Sequence, residues 1–328
     1  TEVAKATGKS SVDVIQGTTK AVQSGISDLD QAIKYATKAS MLSNVGDIEQ
    51  GQADTILASI MSAYGGVENS IKPVREQITG MGKDYDTLTK FIDLANYAGN
   101  NFAISTADVG SALQNSAAAL QTNGVSMEQS VAMVTAMNEI VQDASKSGNA
   151  LKTMSANFSG LTTSAKDGSI QLTKAGKTLK EIAGIEVWNQ QTGEVKDMFA
   201  VVDELHSKWD GLSEAQRIAL GSAVAGKTQL NTFNALMSNW ETAKQLVDEY
   251  NQGLTIGSAE KENLRYLDSI NGKWNTIKEN MKGVANTLVT SDMTKGLLDG
   301  VIAATDGLNA FTKVGTGFLS DMFKGSHE

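Results

Sequence analysis

Apolar residues recur every three or four positions along most of this chain, which is the spacing of one face of an α-helix. After Thr106, four apolar residues are spaced 4, 4 and 3 apart, and after Ser126 five are spaced 4, 3, 3 and 4 apart. Both segments are therefore predicted to be amphipathic helices with one face in a core. The first set is Val109, Leu113, Ala117 and Leu120, and the second is Met127, Val131, Val134, Met137 and Val141.

Residues that start and stop helices flank these segments. Ser126 and Gln129 have the spacing of a capping box, and Gly124 lies where a glycine ends the preceding helix. The same reasoning predicts more helices on the amino-terminal side. These cover residues 27–44, 47–64 and 84–98, with a polar loop over residues 73–83.

One stretch departs from helical spacing. Apolar and polar residues alternate on both sides of an Asn-Gln-Gln-Thr-Gly turn, which predicts a short β-hairpin over residues 185–196. An isolated hairpin is barely stable in water, so it is expected to pack against helices. Asp197 is expected to cap a following helix that runs to Trp209.

The carboxy-terminal residues carry heptad spacing, which divides the chain into a helical region over residues 1–256 and a heptad-patterned arm over residues 257–328. Two interpretations stay open: a coiled coil between chains, or an antiparallel helical hairpin packed on its own domain. The first register is Leu267, Ile270, Trp274, Ile277, Met281, Val284 and Leu288. After a break at residues 290–292, the second is Leu297, Val301, Ala304, Leu308, Phe311, Phe318 and Met322.

Composition supports a mainly α-helical fold with little strand. The chain has 328 residues with a single proline, Pro73, and only 5% aromatic residues, so long helices are allowed and a large β-sandwich is disfavoured. It has no cysteine, which excludes disulfides and thiol catalysis. The net charge of −9 argues against a general nucleic-acid or anionic-membrane surface, and no run of 18 apolar residues predicts a membrane span. A start at Thr1 without methionine indicates an excerpt of a longer protein.

The sharpest chemical motif is residues 221–228, which match the phosphate-loop pattern G-x-x-x-x-G-K-[ST] and end in Lys227 and Thr228. A working phosphate loop follows a buried strand, whereas here Ser213 and Gln216 form a capping box ahead of helix-forming residues. The match is therefore interpreted as a helix break, and a nucleotide hydrolase is kept only as a third alternative. No nucleotide or other cofactor is expected.

A second candidate centres on His206, with Asp203 three residues before it and Asp210 four after it. This spacing places the three side chains near one helix face, as a metal site requires. The only other histidine lies in the tail, so a ligand set is hard to complete, and a solvated charged face is the preferred interpretation. No catalytic, cofactor or metal residues are predicted, and the protein is not expected to be an enzyme.

The order of several small-residue segments resembles the core region of phage tail tape measure proteins. These segments are residues 94–98, 105–113, 124–128 and 147–154, and the resemblance extends over roughly residues 30 to 310. Further along, Gly184 and Ile185 fit the family's strand, and Thr192 stands where the family usually has an acid.

This resemblance implies a structural protein that fills the tail lumen, templates polymerisation of the tail tube, sets tail length and leaves ahead of the genome at infection. It also implies the tail tube protein and tail assembly chaperones as partners, with the host cytoplasm as the place of assembly. Self-association through the heptads is a further expectation. The alternative is an exported helical filament or interaction protein, which shares the acidic, cysteine-free composition.

Overall fold

The computed structural model describes residues 2–65, 86–158, 161–163, 170–188, 195–269, 273–280 and 282, and the fold within them is mainly α-helical, as the sequence predicts. The helices are α1 (Glu2–Thr7), α2 (Ser11–Gln23), α3 (Leu29–Gly46), α4 (Gln50–Ile60), α5 (Thr87–Asn101), α6 (Thr106–Thr122), α7 (Met127–Val141), α8 (Ala144–Phe158), α9 (Lys174–Ala183), α10 (Met198–Trp209), α11 (Glu214–Val224), α12 (Leu230–Ser238), α13 (Trp240–Asn251) and α14 (Ser258–Asp268). A π turn (Met61–Gly65) continues α4, a 3-10 turn (Lys227–Gln229) precedes α12, and residues 273–280 are helical.

Helix starts follow the capping residues that the sequence supplies. Ser126 and Gln129 form the predicted capping box of α7, and Asp197 accepts a hydrogen bond from the Ala200 amide at the start of α10. Gly124 has φ +74°, and the next amide, that of Val125, donates to the Leu120 carbonyl. This left-handed closing turn confirms the predicted helix-ending glycine.

Three predicted helices differ at their ends from the observed ones, and the first, predicted over residues 27–44, runs as Leu29–Gly46. The segment predicted as one helix over residues 47–64 begins only at Gln50, and its last turn, Met61–Gly65, is π-helical. The predicted helix over residues 84–98 runs instead as Thr87–Asn101, with Asp86 as its cap. Shifts of this size are expected because helix ends depend on the cap that the tertiary structure selects.

A continuous hydrophobic core joins the helices from α2 to α14. Its largest fully buried side chains include Trp240, Tyr35, Phe91 and Phe233, while alanines and methionines fill the spaces between helices. Methionine suits this role because its unbranched side chain adapts to irregular gaps. The described residues therefore pack around a common core instead of forming an extended rod.

Glycine allows the closest helix contacts. A Cβ added to Gly148 in α8 would lie 2.4 Å from the Ala112 carbonyl oxygen of α6, and one added to Gly110 would lie 2.8 Å from Ile56 Cδ1. The first contact is with backbone, which cannot swing aside as a side chain can. The α6–α8 distance is therefore set by the missing side chain of Gly148.

Replacing Gly148 with alanine is expected to lower the free energy of unfolding by about 2 to 3 kcal/mol, because the new methyl group forces two backbones apart. Gly51 in α4 is the matched control, since a Cβ there meets nothing within 4 Å. Gly51→Ala is expected to be neutral or to stabilise by up to about 1 kcal/mol. Urea unfolding of both variants measures the difference, and equal stabilities would contradict this account of α6–α8 packing.

Strand content within the described residues is small. Leu161–Thr163 (β1) pairs antiparallel with Ile170–Leu172 (β2), a pairing that the sequence analysis missed because three-residue strands show too little alternation. In the predicted hairpin, Trp188 and Val195 form an isolated antiparallel bridge, and the Lys196 amide donates to the Val187 carbonyl at 3.0 Å. The two arms of the hairpin therefore meet as predicted.

Some predicted features lie outside the described residues. These are the polar loop over residues 73–83, the hairpin turn over residues 189–194, the heptad positions Ile270, Met281, Val284 and Leu288, and the whole second register from Leu297 to Met322. Within the predicted arm, α14 packs against α3 and α5. The division of the chain at residue 257 stays a prediction.

Candidate functional site

The phosphate-loop motif ends a helix. Gly221 lies inside α11, where an added Cβ would be 2.4 Å from Leu230 Cδ1 and 3.1 Å from Phe233 Cδ1. Gly226 has φ +75°, a backbone conformation that side chains with a Cβ rarely adopt. Each glycine of the motif therefore has a structural reason to be glycine, and the element before the motif is the predicted helix.

The backbone between the two glycines of the motif is also bonded to the rest of the fold. Asn157 in α8 donates its amide to the Val224 carbonyl at 2.9 Å, which satisfies one backbone group at the end of α11. Lys227 and Thr228 are exposed in the short 3-10 turn. The motif's backbone therefore closes a helix and begins the turn into α12.

Replacing Lys227 with alanine is expected to change the free energy of unfolding by less than about 0.5 kcal/mol, because its side chain is exposed. Replacing Gly221 with alanine is expected to destabilise by about 1 to 3 kcal/mol, because the methyl group clashes with Leu230. Thermal unfolding with and without ATP and magnesium tests both points. A nucleotide-dependent rise in melting temperature that Lys227→Ala abolishes would contradict the structural interpretation.

Two of the candidate metal residues contact other side chains, and the third is exposed. His206 Nδ1 lies 3.7 Å from Glu241 Oε1 of α13, and Asp203 Oδ1 accepts a hydrogen bond from Trp240 Nε1 at 2.8 Å. Asp210 is fully exposed at the end of α10. Among the residues that the structure describes, no group of three or more histidine or acidic side chains is placed to hold a metal ion.

Asp203 has a role that the sequence analysis did not assign. Its carboxylate receives the indole N–H of Trp240, which is fully buried and has its ring 4.6 Å from that of Phe199. A buried indole needs an acceptor for its N–H, so Asp203 allows Trp240 to lie in the core between α10 and α13. Only the three-dimensional structure brings these residues together.

A largely buried ion pair connects three helices. Lys90 of α5 pairs with Glu128 at the start of α7, and the exposed fractions of the two side chains are 16% and 12%. The Lys90 ammonium also lies 4.9 Å from the centroid of the Tyr250 ring of α13. Burial raises the pKa of Glu128, but the Lys90 charge and hydrogen bond outweigh it and hold the pKa below its usual range. The carboxylate therefore stays charged against Lys90 at neutral pH.

Polar contacts also fasten α14 to the body of the fold. The buried carboxylate of Asp93 in α5 accepts hydrogen bonds from the Gly257 and Ala259 amides at 2.8 and 2.9 Å. These amides belong to the first turn of α14, where backbone donors lack partners within the helix. Asn96 adds a bond to the Ser258 hydroxyl at 2.8 Å. A carboxylate from a distant helix therefore caps α14.

Asp54 of α4 is a buried carboxyl, only 3% exposed, facing α2. Burial raises its pKa to about 6, against a weaker lowering by the Gln50 hydrogen bond and the Lys20 charge. Nearby, the buried Oε1 of Gln50 has no hydrogen-bond partner. A protonated Asp54 can supply that missing donor once the Gln50 amide is turned over.

The raised pKa gives stability a defined pH dependence. A folded-state pKa above the unfolded value means that the contribution of Asp54 is fully present below about pH 4 and is lost as pH rises through about 6. At about 1.4 kcal/mol per pKa unit, the loss is about 2 to 3 kcal/mol. Asp54→Asn is therefore expected to match wild type near pH 4 and to exceed it by about 2 kcal/mol at pH 7.

Urea unfolding of the wild type and Asp54→Asn between pH 4 and 7.5 measures this difference. Asp30→Asn is the control, because Asp30 is exposed in the first turn of α3, and it is expected to stay within about 0.5 kcal/mol of wild type throughout. A stability gap for Asp54→Asn that does not change with pH would contradict the assignment.

A cleft of about 650 Å³ lies where the ends of α6 and α8 meet the carboxy-terminal arm of the hairpin. Its polar side chains are already engaged in the fold. Asn123 donates to Ser155 Oγ at 2.6 Å, Lys196 pairs with Glu204 at 2.7 Å, and Asp197 caps α10. The cleft therefore serves helix packing and capping.

The chain matches a known protein family over most of its length. A family model described as phage-related minor tail protein matches residues 1–226 of the chain. A search of solved structures gave no match. Within the described residues, none of the helices combines the length and apolar character needed to cross a membrane.

Proposed function

Since the chain belongs to the phage-related minor tail protein family, which makes it a structural component of the phage tail, we propose that it is a segment of a tape measure protein from a long-tailed phage. In this role it occupies the tail lumen, templates polymerisation of the tube, sets tail length and leaves ahead of the genome. Its partners are the tail tube protein and the tail assembly chaperones, and assembly takes place in the host cytoplasm.

The observation that carries the proposal is where the family match lies. It covers residues 1–226, and the segments that resemble tape measure proteins, from residues 94–98 to 147–154, lie in order inside it. These segments lie within or at the start of α5, α6, α7 and α8. All four helices contribute residues to the common core. These four segments of the resemblance therefore lie in helices that pack around the same core.

A helical chain is physically suited to setting a length. Each residue of an α-helix adds 1.5 Å along its axis, so the number of residues converts directly into distance. The described residues are folded around a core, whereas a protein that sets a length needs its helices arranged end to end along one axis. We therefore propose that the helices separate from this core and align along the tail axis during assembly.

The negative charge fits a protein that shares its space with DNA. With a net charge of −9, the chain repels a polyanion, so it does not adhere to the genome that follows it. The proposed role needs no reaction chemistry, and Gly221, Gly226 and Asp203, which belong to the two candidate motifs, have structural roles. The proposal is accordingly a structural one.

An in-frame deletion in the phage tests it. Removing residues 86–158, about seventy residues, is expected to shorten the tail by about 110 Å if the segment is a helical ruler. The matched control replaces the same residues with an unrelated helix-forming sequence of equal length, and this is expected to restore tail length. Electron micrographs of tails measure both. Tails of unchanged length after the deletion would contradict the ruler role and leave a minor tail role.

A further inference from the structure

Helix α14 is held to the fold by polar contacts more than by apolar burial. It lies against α3 and α5, and all eleven of its residues are described. Only Ala259 among them is buried, whereas ten of the fifteen residues of α7 are buried. Leu264 in the middle of α14 is 60% exposed. Since apolar burial is the main source of folding stability, α14 gains little from that source.

Polar contacts fasten α14 from its first turn to Tyr266. The Asp93 carboxylate of α5 caps its first turn, and Asn44 of α3 donates to Asn263 Oδ1 at 2.7 Å. The Lys9 ammonium lies 5.7 Å from the centroid of the Tyr266 ring. When α14 leaves, water replaces each hydrogen bond, so each one adds little net stability. The buried charge of Asp93 also regains hydration, which lowers the cost of opening further.

The connection from α13 to α14 can act as a hinge. Residues 252–257 form turns, and Gly253 and Gly257 have φ +76° and +74°. Helix α13, which ends at Asn251, stays anchored because Trp240 and Leu246 belong to the core. Hinges are a few loop residues that absorb changes in backbone angles. Changes within residues 252–257 therefore allow α14 to turn away while α13 keeps its place.

We propose that α14 is a strap that opens ahead of the rest of the fold, with residues 252–257 as its hinge. In the closed state it bridges α3 and α5, and in the open state it leaves them while α7 and the core remain folded. The meaning of this opening for assembly rests on the proposed tape measure role. In that role, the separation of the helices along the tail axis begins at α14.

Native-state hydrogen exchange on the 328-residue chain, in urea below the unfolding transition, tests the strap. In the wild type, the α14 amides are expected to be at least about a hundredfold less protected than the α7 amides, because elements with little burial open locally. Urea is expected to change the protection of α14 only slightly, since its opening exposes little surface. The protection of α7 is expected to fall steeply with urea, because its amides exchange through global unfolding.

Two substitutions distinguish a strap that opens alone from one that opens with the whole fold. Asp93→Asn presents an amide to two N–H donors and can accept well from only one of them, so the protection of α14 is expected to fall about tenfold. The protection of α7 is expected to fall by the same factor, because global unfolding also starts from the closed strap. Val134→Ala is the control, since Val134 is fully buried in α7. It is expected to lower the protection of α7 at least about tenfold and to leave α14 unchanged, because the core is intact whether the strap is closed or open.

Thiol labelling gives an independent measurement, because the chain has no native cysteine. Ala259→Cys in α14 and Ala132→Cys in α7 form a matched pair, since the two alanines are 1% and 0% exposed. Iodoacetamide is expected to alkylate the first thiol at least about tenfold faster than the second, because opening of α14 exposes it.

Four results overturn the proposal. They are equal protection of α14 and α7 in the wild type, protection of α14 that Asp93→Asn does not lower, protection of α14 that Val134→Ala lowers together with that of α7, and equal alkylation rates. All four are measured on the isolated chain, whereas the in-frame deletion measures tail length. Failure of the strap is therefore distinguishable from failure of the tape measure role.

Discussion

Replacing Trp240 with alanine is expected to lower the free energy of unfolding by about 4 kcal/mol, the largest effect of any single substitution proposed for this chain. The side chain is fully buried, its ring lies 4.6 Å from that of Phe199, and its N–H donates to Asp203. Removal of the indole leaves a large cavity between α10 and α13. Urea unfolding followed by circular dichroism measures the loss.

Two variants separate the contributions to this effect. Trp240→Phe keeps most of the apolar volume and loses the hydrogen bond to Asp203, so it is expected to cost about 1 to 2 kcal/mol. Trp274→Ala is the matched tryptophan control, because Trp274 is half-buried in the helix over residues 273–280. It is expected to cost clearly less than Trp240→Ala. A loss below about 1 kcal/mol for Trp240→Ala would contradict the assignment of Trp240 to the core.

Trp274→Ala also bears on the predicted heptad seam. If the seam joins chains, its loss appears as dissociation that depends on protein concentration, and if the seam is internal, stability falls independently of concentration. Sedimentation across about a hundredfold range of concentration distinguishes the two.

The second large effect is expected at the ion pair between Lys90 and Glu128. Lys90→Met is expected to lower the free energy of unfolding by about 3 to 4 kcal/mol, because it leaves the Glu128 carboxylate largely buried without its cation. The double variant Lys90→Met with Glu128→Leu removes both charges. It is expected to be more stable than the sum of the single losses predicts, by at least about 1.5 kcal/mol.

A double-mutant cycle in urea measures that coupling. The pair between Lys180 and Glu186 is the control, since both side chains are nearly half exposed, at 44% and 46%. Its coupling is expected to be at most about 0.5 kcal/mol, because water screens it. Additive losses at Lys90 and Glu128 would show that the contact between α5 and α7 does not depend on the charge pair.

Local features of this fold were predictable from sequence because they depend on residues that are close along the chain. The capping boxes at Ser126 and Ser213 and the left-handed turn at Gly124 involve partners within five residues. The spacing of apolar residues in α6 and α7 likewise marks the face that the core covers. The same reasoning from nearby residues predicted that residues 221–228 end a helix, because a capping box and helix-forming residues precede them.

The contacts that hold the helices together were not predictable, because they join residues far apart in sequence. The Asp93 carboxylate reaches the Gly257 amide 164 residues away, and Asn44 donates to Asn263 Oδ1 at 2.7 Å across a separation of 219 residues. Periodicity shows that one face of a helix is covered without identifying the partner that covers it. Residue types alone did not reveal that the Asp203 carboxylate accepts the hydrogen bond of the Trp240 indole.

The sequence by itself therefore determined the helical class, several helix caps, the meeting of the hairpin arms and, through its ordered segments, the family resemblance. Only the tertiary structure decided which helices touch, why Gly148 must lack a side chain, and which charged groups are buried in pairs. The physical reason is the range of the interactions. Caps and helical periodicity act over a few residues, whereas burial and close packing depend on chain segments that meet only in the folded protein.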